Sequence, residues 1–543
     1  MVFARRSTTL LAAIIASCAM VLSLTACTSD NKTVVDGQTT VTSNSAGGVA
    51  VFTPSDGITL NQQTPLNKWA KLVPDLAKAL ADAGFKKGDI DHTTSDSLAK
   101  QSRAIQDFVV DHLSNNTTDD SGIAIAPDNM TLLVAPVVEA DASTRQYGDY
   151  VSQNLSTNDA TDGEATSDGE SSEDDSSKDD SSNTESDSTA SDEQAQAVDR
   201  LASSLKLAKE SGMHVVLLGN SIEGYKPDAF VKFSDAQTIG KLQAEKMVSK
   251  LKLDKASKDN PKYIEVLLPY TAVDEKGNAN DSTFAQEAFR GIWQVLGSYY
   301  QKGVVESPSG TLDGKSTEND WQAVAYDAAK EGSTAKVLDK RLAKTDGQST
   351  LTRIDGIITM NDYIASEVVK ELDDLGYTGS AADINPQITI SGIVGNITGK
   401  KDLSRDAVPD PIKSPENDNA NDSSSSDDDA DEDTSASDKD RDSQWPLVTG
   451  YGAYVSNIPS IVNGKQWMTG MEDRQTIATD IAQACAKLNK DEALNSMPSI
   501  RNSEVGGVKK IPTISEPLLA VSASNLKSAL IDPGYISLAD AGL

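Results

Sequence analysis

The chain has 543 residues, 38% of them hydrophobic, and a formal net charge of −33. Nucleic-acid binding is driven by Lys and Arg neutralising phosphates, and so acidic a surface repels them, so no nucleic-acid partner is expected. Three Cys and three dispersed His (His92, His112, His214) exclude a disulfide scaffold, a Cys-rich zinc site and a His-based metal centre. Stability must then come from packed cores, and no metal or cofactor is expected.

In chain order, Arg5 and Arg6 precede an apolar run from Leu10 to Leu22, which ends in Leu24-Thr25-Ala26-Cys27. A basic head, a short apolar region and small residues before a cut site form a secretory signal. The Cys placed directly after them resembles the bacterial lipobox, which implies that Cys27 is diacylated and becomes the first mature residue. The apolar run is too short to span a bilayer comfortably, and no other run reaches about 18 residues. Residues 1–26 are therefore read as a lipoprotein signal peptide. The protein is expected to be exported and lipid-anchored to the outer face of the cytoplasmic membrane. Residues 27–48, rich in Ser, Thr, Asn and Gly, read as a flexible spacer.

From Val49 the pattern becomes globular. Val51-Phe52 open a strand, and Leu66 to Gly84 carries Trp69, Leu72, Val73, Leu76 and Leu80 at helical spacing around Pro74. Leu98 to Leu113 is a helix, Gly122 to Pro127 a short strand, and Met130 to Val138 the start of the next helix. Ala195 to Ser211 is a helix, and Val215 to Leu218 an apolar strand. Beyond Lys232, helices are predicted at Ala236–Leu251, Phe284–Tyr299, Trp321–Lys340 and Tyr363–Leu375, the last capped by Asp362. Strands fall at Tyr263–Leu268, Gly303–Val305, Gly356–Met360 and Gln387–Ile393. Trp445 to Ala453 restarts order, with helices at Ile458–Val462 and Arg474–Leu488. Strand and helix alternate at roughly 30-residue spacing, the signature of βαβ units on a parallel sheet.

Two acidic, Ser-rich runs, Asn158–Glu193 and Lys401–Ser443, interrupt this alternation. They cannot bury enough apolar surface to offset chain entropy, so both read as disordered inserts within a folded body. Neither contains a D-x-D-x-D-G loop with a closing Glu, which argues against calcium loading.

The order of landmarks resembles the type I periplasmic sugar-binding proteins of ABC importers, in their xylose, ribose and multiple-sugar (ChvE-like) branch. Lys68-Trp69 is similar to the family's Arg-Trp pair, whose ring stacks on sugar. Phe233-Ser234-Asp235 with Gly240-Lys241-Leu242-Gln243-Ala244 resembles the first crossing between lobes. Thr359-Met360-Asn361-Asp362 is similar to an S-N-D turn whose Asn binds hydroxyls. Thr449-Gly450-Tyr451-Gly452-Ala453, and then Val462 to Thr469, resemble the late G-x-D-A and A-G-T-Q-T-M-T segments. Val521 to Gly542 resembles the closing segment. The resemblance spans Val51 to Leu543 outside the two inserts.

It implies two Rossmann-like α/β lobes joined by three hinge crossings, near Asp235, Glu472 and Ile514. The N-terminal lobe would comprise residues 49–234 plus 473–513, and the C-terminal lobe 235–472 plus 514–543. The chain departs from the family at Gly452, where an Asp is usual, at Gly219-Asn220, where an Asp-Arg pair is usual, and at Glu472, where Gln or Lys is usual.

Sugars present an apolar ring face and a rim of hydroxyls, so a receptor needs an aromatic platform and convergent polar groups. The resemblance places Trp69, Asn361, Asp235, Asp362, Lys68, Asn220, Tyr451 and Glu472 at the cleft. Plainer alternatives stand beside these: Trp69 as a core residue of its helical stripe, Asp362 as a helix cap, Asp235 as a crossover residue, and Tyr451 and Glu472 as solvated side chains. The implied function is a solute-binding lipoprotein that delivers a sugar or related small polar ligand to an ABC permease. The alternative is a sensory or scaffold lipoprotein that keeps the fold without transport. No G-x-S-x-G, H-E-x-x-H or G-x-x-x-x-G-K-[ST] motif is present, so no enzyme is expected.

Overall fold

The computed structural model describes residues 46–55, 65–115, 125–138, 144–150, 153–156, 185–272, 282–328, 330–343, 350–381 and 444–543. The signal segment, Cys27, residues 158–184, the run Lys401–Ser443 and the expected strand Gln387–Ile393 lie outside them.

The first stretch runs β1 (Gly48–Pro54), α1 (Trp69–Asp82), β2 (Ile90–Ser95), α2 (Leu98–Asn115), β3 (Met130–Val134) and β4 (Asn154–Leu155). It continues with α3 (Glu185–Glu210), β5 (His214–Leu218), β6 (Ser221–Ile222) and β7 (Ala229–Lys232). Next come α4 (Ala236–Leu251), β8 (Lys262–Val266), β9 (Leu268–Pro269), α5 (Thr283–Gln301) and β10 (Val305–Glu306). These lead to α6 (Trp321–Val324), β11 (Ala325–Tyr326), α7 (Ser333–Arg341), β12 (Gly356–Ile358) and α8 (Asp362–Leu375). The last stretch is β13 (Leu447–Tyr451), α9 (Ile458–Val462), β14 (Met468–Met471), α10 (Arg474–Leu488), β15 (Ile500–Val505), β16 (Val508–Ser515) and β17 (Leu519–Ser522).

Two mixed, mostly parallel sheets organise these elements into two α/β lobes. Among the described residues, the first sheet has the order β15-β16-β7-β5-β3-β1-β2 and the second β10-β8-β12-β13-β14-β17. Among the described strands of these two sheets, antiparallel pairing is confined to β15 with β16 and β14 with β17. The chain passes between the sheets three times within these residues: after β7, after β14 and after β16.

Period two along the strands sorts side chains onto the two faces of the first sheet. Val49, Val51, Leu133, Val216, Leu218 and Val231 share a core with Leu72, Leu76 and Leu80 of α1 and Ile477 and Ile481 of α10. Ala50, Phe52, Leu132, Val134, Val215 and Leu217 face the other way, onto Ile105 and Val109 of α2 and Leu201 and Leu205 of α3. The second sheet has one continuous core, with Ile264, Val266, Ile357, Ile358, Leu447 and Val448 packed against α4, α5 and α8. Burial on both faces explains why these strands read as unbroken apolar runs.

Five sequence expectations need correction. Of the strand expected over Gly122–Pro127, the described residues 125–127 are not strand, and Pro127–Asn129 is a 3₁₀ turn. The segment Met130–Val134 is a strand, not the start of a helix; its apolar run lacks a 3.6 period and is buried on both faces. Helix α3 begins at Glu185, so the last nine residues assigned to the first insert are helical. The spacer ends before Ala46, which is buried in the first core and donates its N–H to Gly84. The long helix expected over Trp321–Lys340 is broken into α6 and α7, because Ala325-Tyr326 pairs as a strand with Leu268-Pro269. Arg341 fixes that corner by donating to the carbonyls of Val266 and Val324.

Candidate functional site

The residues singled out in the sequence follow the carboxyl ends of β1, β5, β7, β12, β13 and β14, where open α/β sheets carry their ligand sites. Trp69 opens α1 and is 2% exposed. Its ring meets Tyr150 and Phe233 edge-on, at 5.0 and 5.6 Å between centroids. Lys68, just before it, pairs with Asp149 at 2.8 Å. Asn220 is buried and bonded through both amide atoms: its Oδ1 accepts from the Gln153 N–H, and its Nδ2 donates to the Pro136 carbonyl.

Asp235 caps α4. Its Oδ1 accepts from the Thr238 N–H and hydroxyl, and Lys232 lies 2.9 Å from its other oxygen. Burial alone would raise its pKa, but the bonds from Thr238 and Lys232 outweigh it and hold it below the usual range.

The second lobe supplies a turn. Met360 adopts φ 68°, a left-handed conformation unusual outside Gly, immediately before Asn361. Asn361, not Asp362, is the N-cap of α8: its Oδ1 accepts from the Ile364 N–H, as cap residues do. This corrects the cap expected at Asp362. Asn361 is itself fully buried, and its Nδ2 donates to Gln146 Oε1 at 3.1 Å.

Asp362 is fully buried and holds its own lobe together. Its carboxylate accepts from the Tyr454 N–H, the Thr469 hydroxyl and Gln466 Nε2. Burial pushes it up to about 6 against those bonds.

Tyr451 and Glu472 meet Ser234 where two crossings run side by side. The Tyr451 hydroxyl lies 2.5 Å from the Ser234 hydroxyl and donates to Glu472 Oε1, which also accepts from the Ser234 N–H. Burial raises Glu472, opposed by those bonds. Burial and the neighbouring Glu472 push Tyr451 well above its ordinary value.

The local backbone accounts for Gly452, where the resemblance implied an Asp. Its φ is 114°, and a Cβ there would come within 3.0 Å of the Tyr454 ring. Only Gly fits this turn without strain.

The sequence reading missed residues 144–156, which no periodicity marks. Thr144–Tyr147 forms a single 3₁₀ turn. The Gln146 carbonyl accepts from the Tyr454 hydroxyl. The Tyr147 ring is buried against Phe284 and Tyr451. Asp149 accepts from Lys68 Nζ and from the Trp69 N–H. Tyr150 stacks on Phe233 at 4.7 Å and donates to the Lys68 carbonyl. Asn154-Leu155 then pairs with Ser221-Ile222. A usable signal was present: Tyr147 and Tyr150, two aromatics beside an otherwise polar stretch.

Among the described residues, no group of three or more His, Cys, Asp or Glu is arranged to hold a metal ion, and no helix is long and apolar enough to cross a membrane.

No protein-family model and no curated protein matches the chain. Among solved structures, the chain is similar to an ABC transporter solute-binding protein from Clostridium phytofermentans with bound β-D-glucose, at 17% identity and a TM-score of 0.44 over 91% of this chain and 99% of that one. It is similar to a carbohydrate transporter solute-binding protein from Chloroflexus aurantiacus in complex with D-glucose, at 18% identity and 0.43 over 92% and 98%. It is also similar to a periplasmic ribose ABC transporter protein from Conexibacter woesei, at 13% identity and 0.42 over 90% and 96%.

Proposed function

We propose that this protein is an extracytoplasmic solute-binding lipoprotein, anchored through Cys27, that captures a sugar or related small polar ligand between its lobes and passes it to an ABC permease. The observation that carries this reading is that Lys68 and the Trp69 N–H of one lobe and Asn361 of the other all bond to the short segment Gln146–Asp149, next to paired crossings locked by Ser234, Tyr451 and Glu472. Crossings of this kind allow two lobes to close on a ligand as a hinge. The amide of Asn361 and the ammonium of Lys68 suit a hydroxyl rim, whereas the Trp69 ring is packed in the first core against Tyr150 and Phe233 and would meet a ligand only after those neighbours move.

The test begins with a thermal-shift and calorimetric screen against D-glucose, D-ribose, D-allose, L-arabinose and myo-inositol. Asn361→Ser keeps a helix-capping oxygen and removes the amide. It is expected to weaken the ligand found by at least tenfold without lowering the ligand-free melting temperature. Equal binding by parent and variant would remove Asn361 from the site.

A second reading, a sensory or scaffold lipoprotein, is favoured by one observation: Asn220, Asp235, Asp362 and Glu472 all bond to the protein itself. A screen that returns no ligand would support it.

A further inference from the structure

The segment Gln146–Tyr150 touches the candidate ligand residues of both lobes at once. Gln146 meets Asn361 and Tyr147 packs on Tyr451 in the second lobe. Asp149 takes Lys68 and the Trp69 N–H, and Tyr150 packs against Trp69, in the first. The pattern matches what a sugar would offer: oxygen acceptors for an amide and an ammonium, and an apolar face for an indole. The two tyrosines divide between the lobes, since Tyr147 belongs to the core cluster of the second and Tyr150 to that of the first.

We propose that Gln146–Tyr150 is a built-in occupant of the cleft, which competes with a hydroxyl-rich ligand for Trp69, Lys68 and Asn361. The inference rests on the ligand-capture reading above and adds that capture requires this segment to leave.

Two features oppose the seated state of the segment. Its seat is imperfect, because Asn67 Nδ2, buried beside Gly148, has no hydrogen-bond partner among the described residues. Its passage depends on one residue: Gly148 sits at φ 98°, and a Cβ there would lie 2.5 Å from the Asn67 carbonyl oxygen. A side chain at 148 therefore opposes the seated state and leaves an unseated one unaffected. If binding needs an empty cleft, the apparent affinity is the intrinsic one multiplied by the fraction of molecules with the segment out.

The experiment compares the full mature parent with Gly148→Ala by amide hydrogen exchange without ligand, and by calorimetry with the five sugars and polyols named above. In the parent, the Asp149 amide, which donates to the Asn67 carbonyl, should be protected. In Gly148→Ala, protection across 146–150 should be lost, and a bound sugar should bind at least tenfold tighter. Asp149→Asn, which removes the Lys68 ion pair without a steric change, should shift both readouts in the same direction and replaces Gly148→Ala if that variant does not fold. Free exchange of 146–150 in the parent would overturn the proposal. So would equal affinity in parent and variants, which would leave the capture reading standing. Failure of every protein to bind any of the five would overturn both.

Discussion

Asp362 was the residue hardest to read correctly from sequence. Its position after a strand suggests a cap, yet its neighbour Asn361 takes that role and frees Asp362 to tie Tyr454, Gln466 and Thr469 to the start of α8. Because burial raises its pKa to about 6 from an ordinary carboxylate value, the folded state holds the proton more tightly than the unfolded chain. The associated stability is complete below the unfolded pKa and is lost as the pH rises through about 6. A shift of this size corresponds to about 3 kcal/mol at most. The prediction is that the stability of the parent relative to Asp362→Asn falls between pH 4 and pH 7, followed by urea unfolding at each pH. A difference that stays constant over that range would show that Asp362 does not titrate there. The identity of such a residue was legible in the sequence, but its role was not, because its partners lie about 90 to 110 positions away.

Elements with a clear period were the most legible. Ala236–Leu251 and Arg474–Leu488 are helices with the bounds read from their apolar stripes and end residues. The hairpin of β15 and β16 went unread, although Gly506-Gly507 between two alternating runs is a standard two-residue turn signal. Its exposed positions dilute the apolar pattern that marks the buried strands. Helix α1 was placed correctly but not its cap. Lys68 at the N-cap position makes no side-chain cap bond, and Asp149, eighty residues on, accepts from the first N–H instead. A carboxylate at a helix N-terminus is favoured by both the free N–H and the helix dipole. Asp149→Ala is therefore expected to cost about 1 kcal/mol in urea unfolding, since the ion pair with Lys68 is partly exposed and screened. An unchanged midpoint would show that the helix start is satisfied without it.

At the scale of the whole molecule, neither sheet is built from one continuous stretch of chain. Strand β7 needs β16 as its outer neighbour, and β14 needs β17. A chain ending at Lys490 keeps every parallel strand before that point but leaves both of these edges bare. It is expected to show no cooperative thermal transition by circular dichroism; a sharp two-state melt would show that the lobes close without their last strands. The two-lobed α/β architecture was legible because strand and helix alternate throughout, and the acidic runs interrupt that alternation without ending it. The placement of residues 144–150 was not, since Tyr147 and Tyr150 find their partners through a route that no local pattern encodes.

The late return of β16 and β17 also sets a schedule. As the chain is synthesised, the strands up to β14 emerge with β7 and β14 exposing unpaired N–H and C=O groups, the kind of edge that templates aggregation. Those edges close only when Val508–Ser515 and Leu519–Ser522 have emerged. The two sheets thus gain these last neighbours within a few residues of one another, and until then both edges stay open to pairing with other strands.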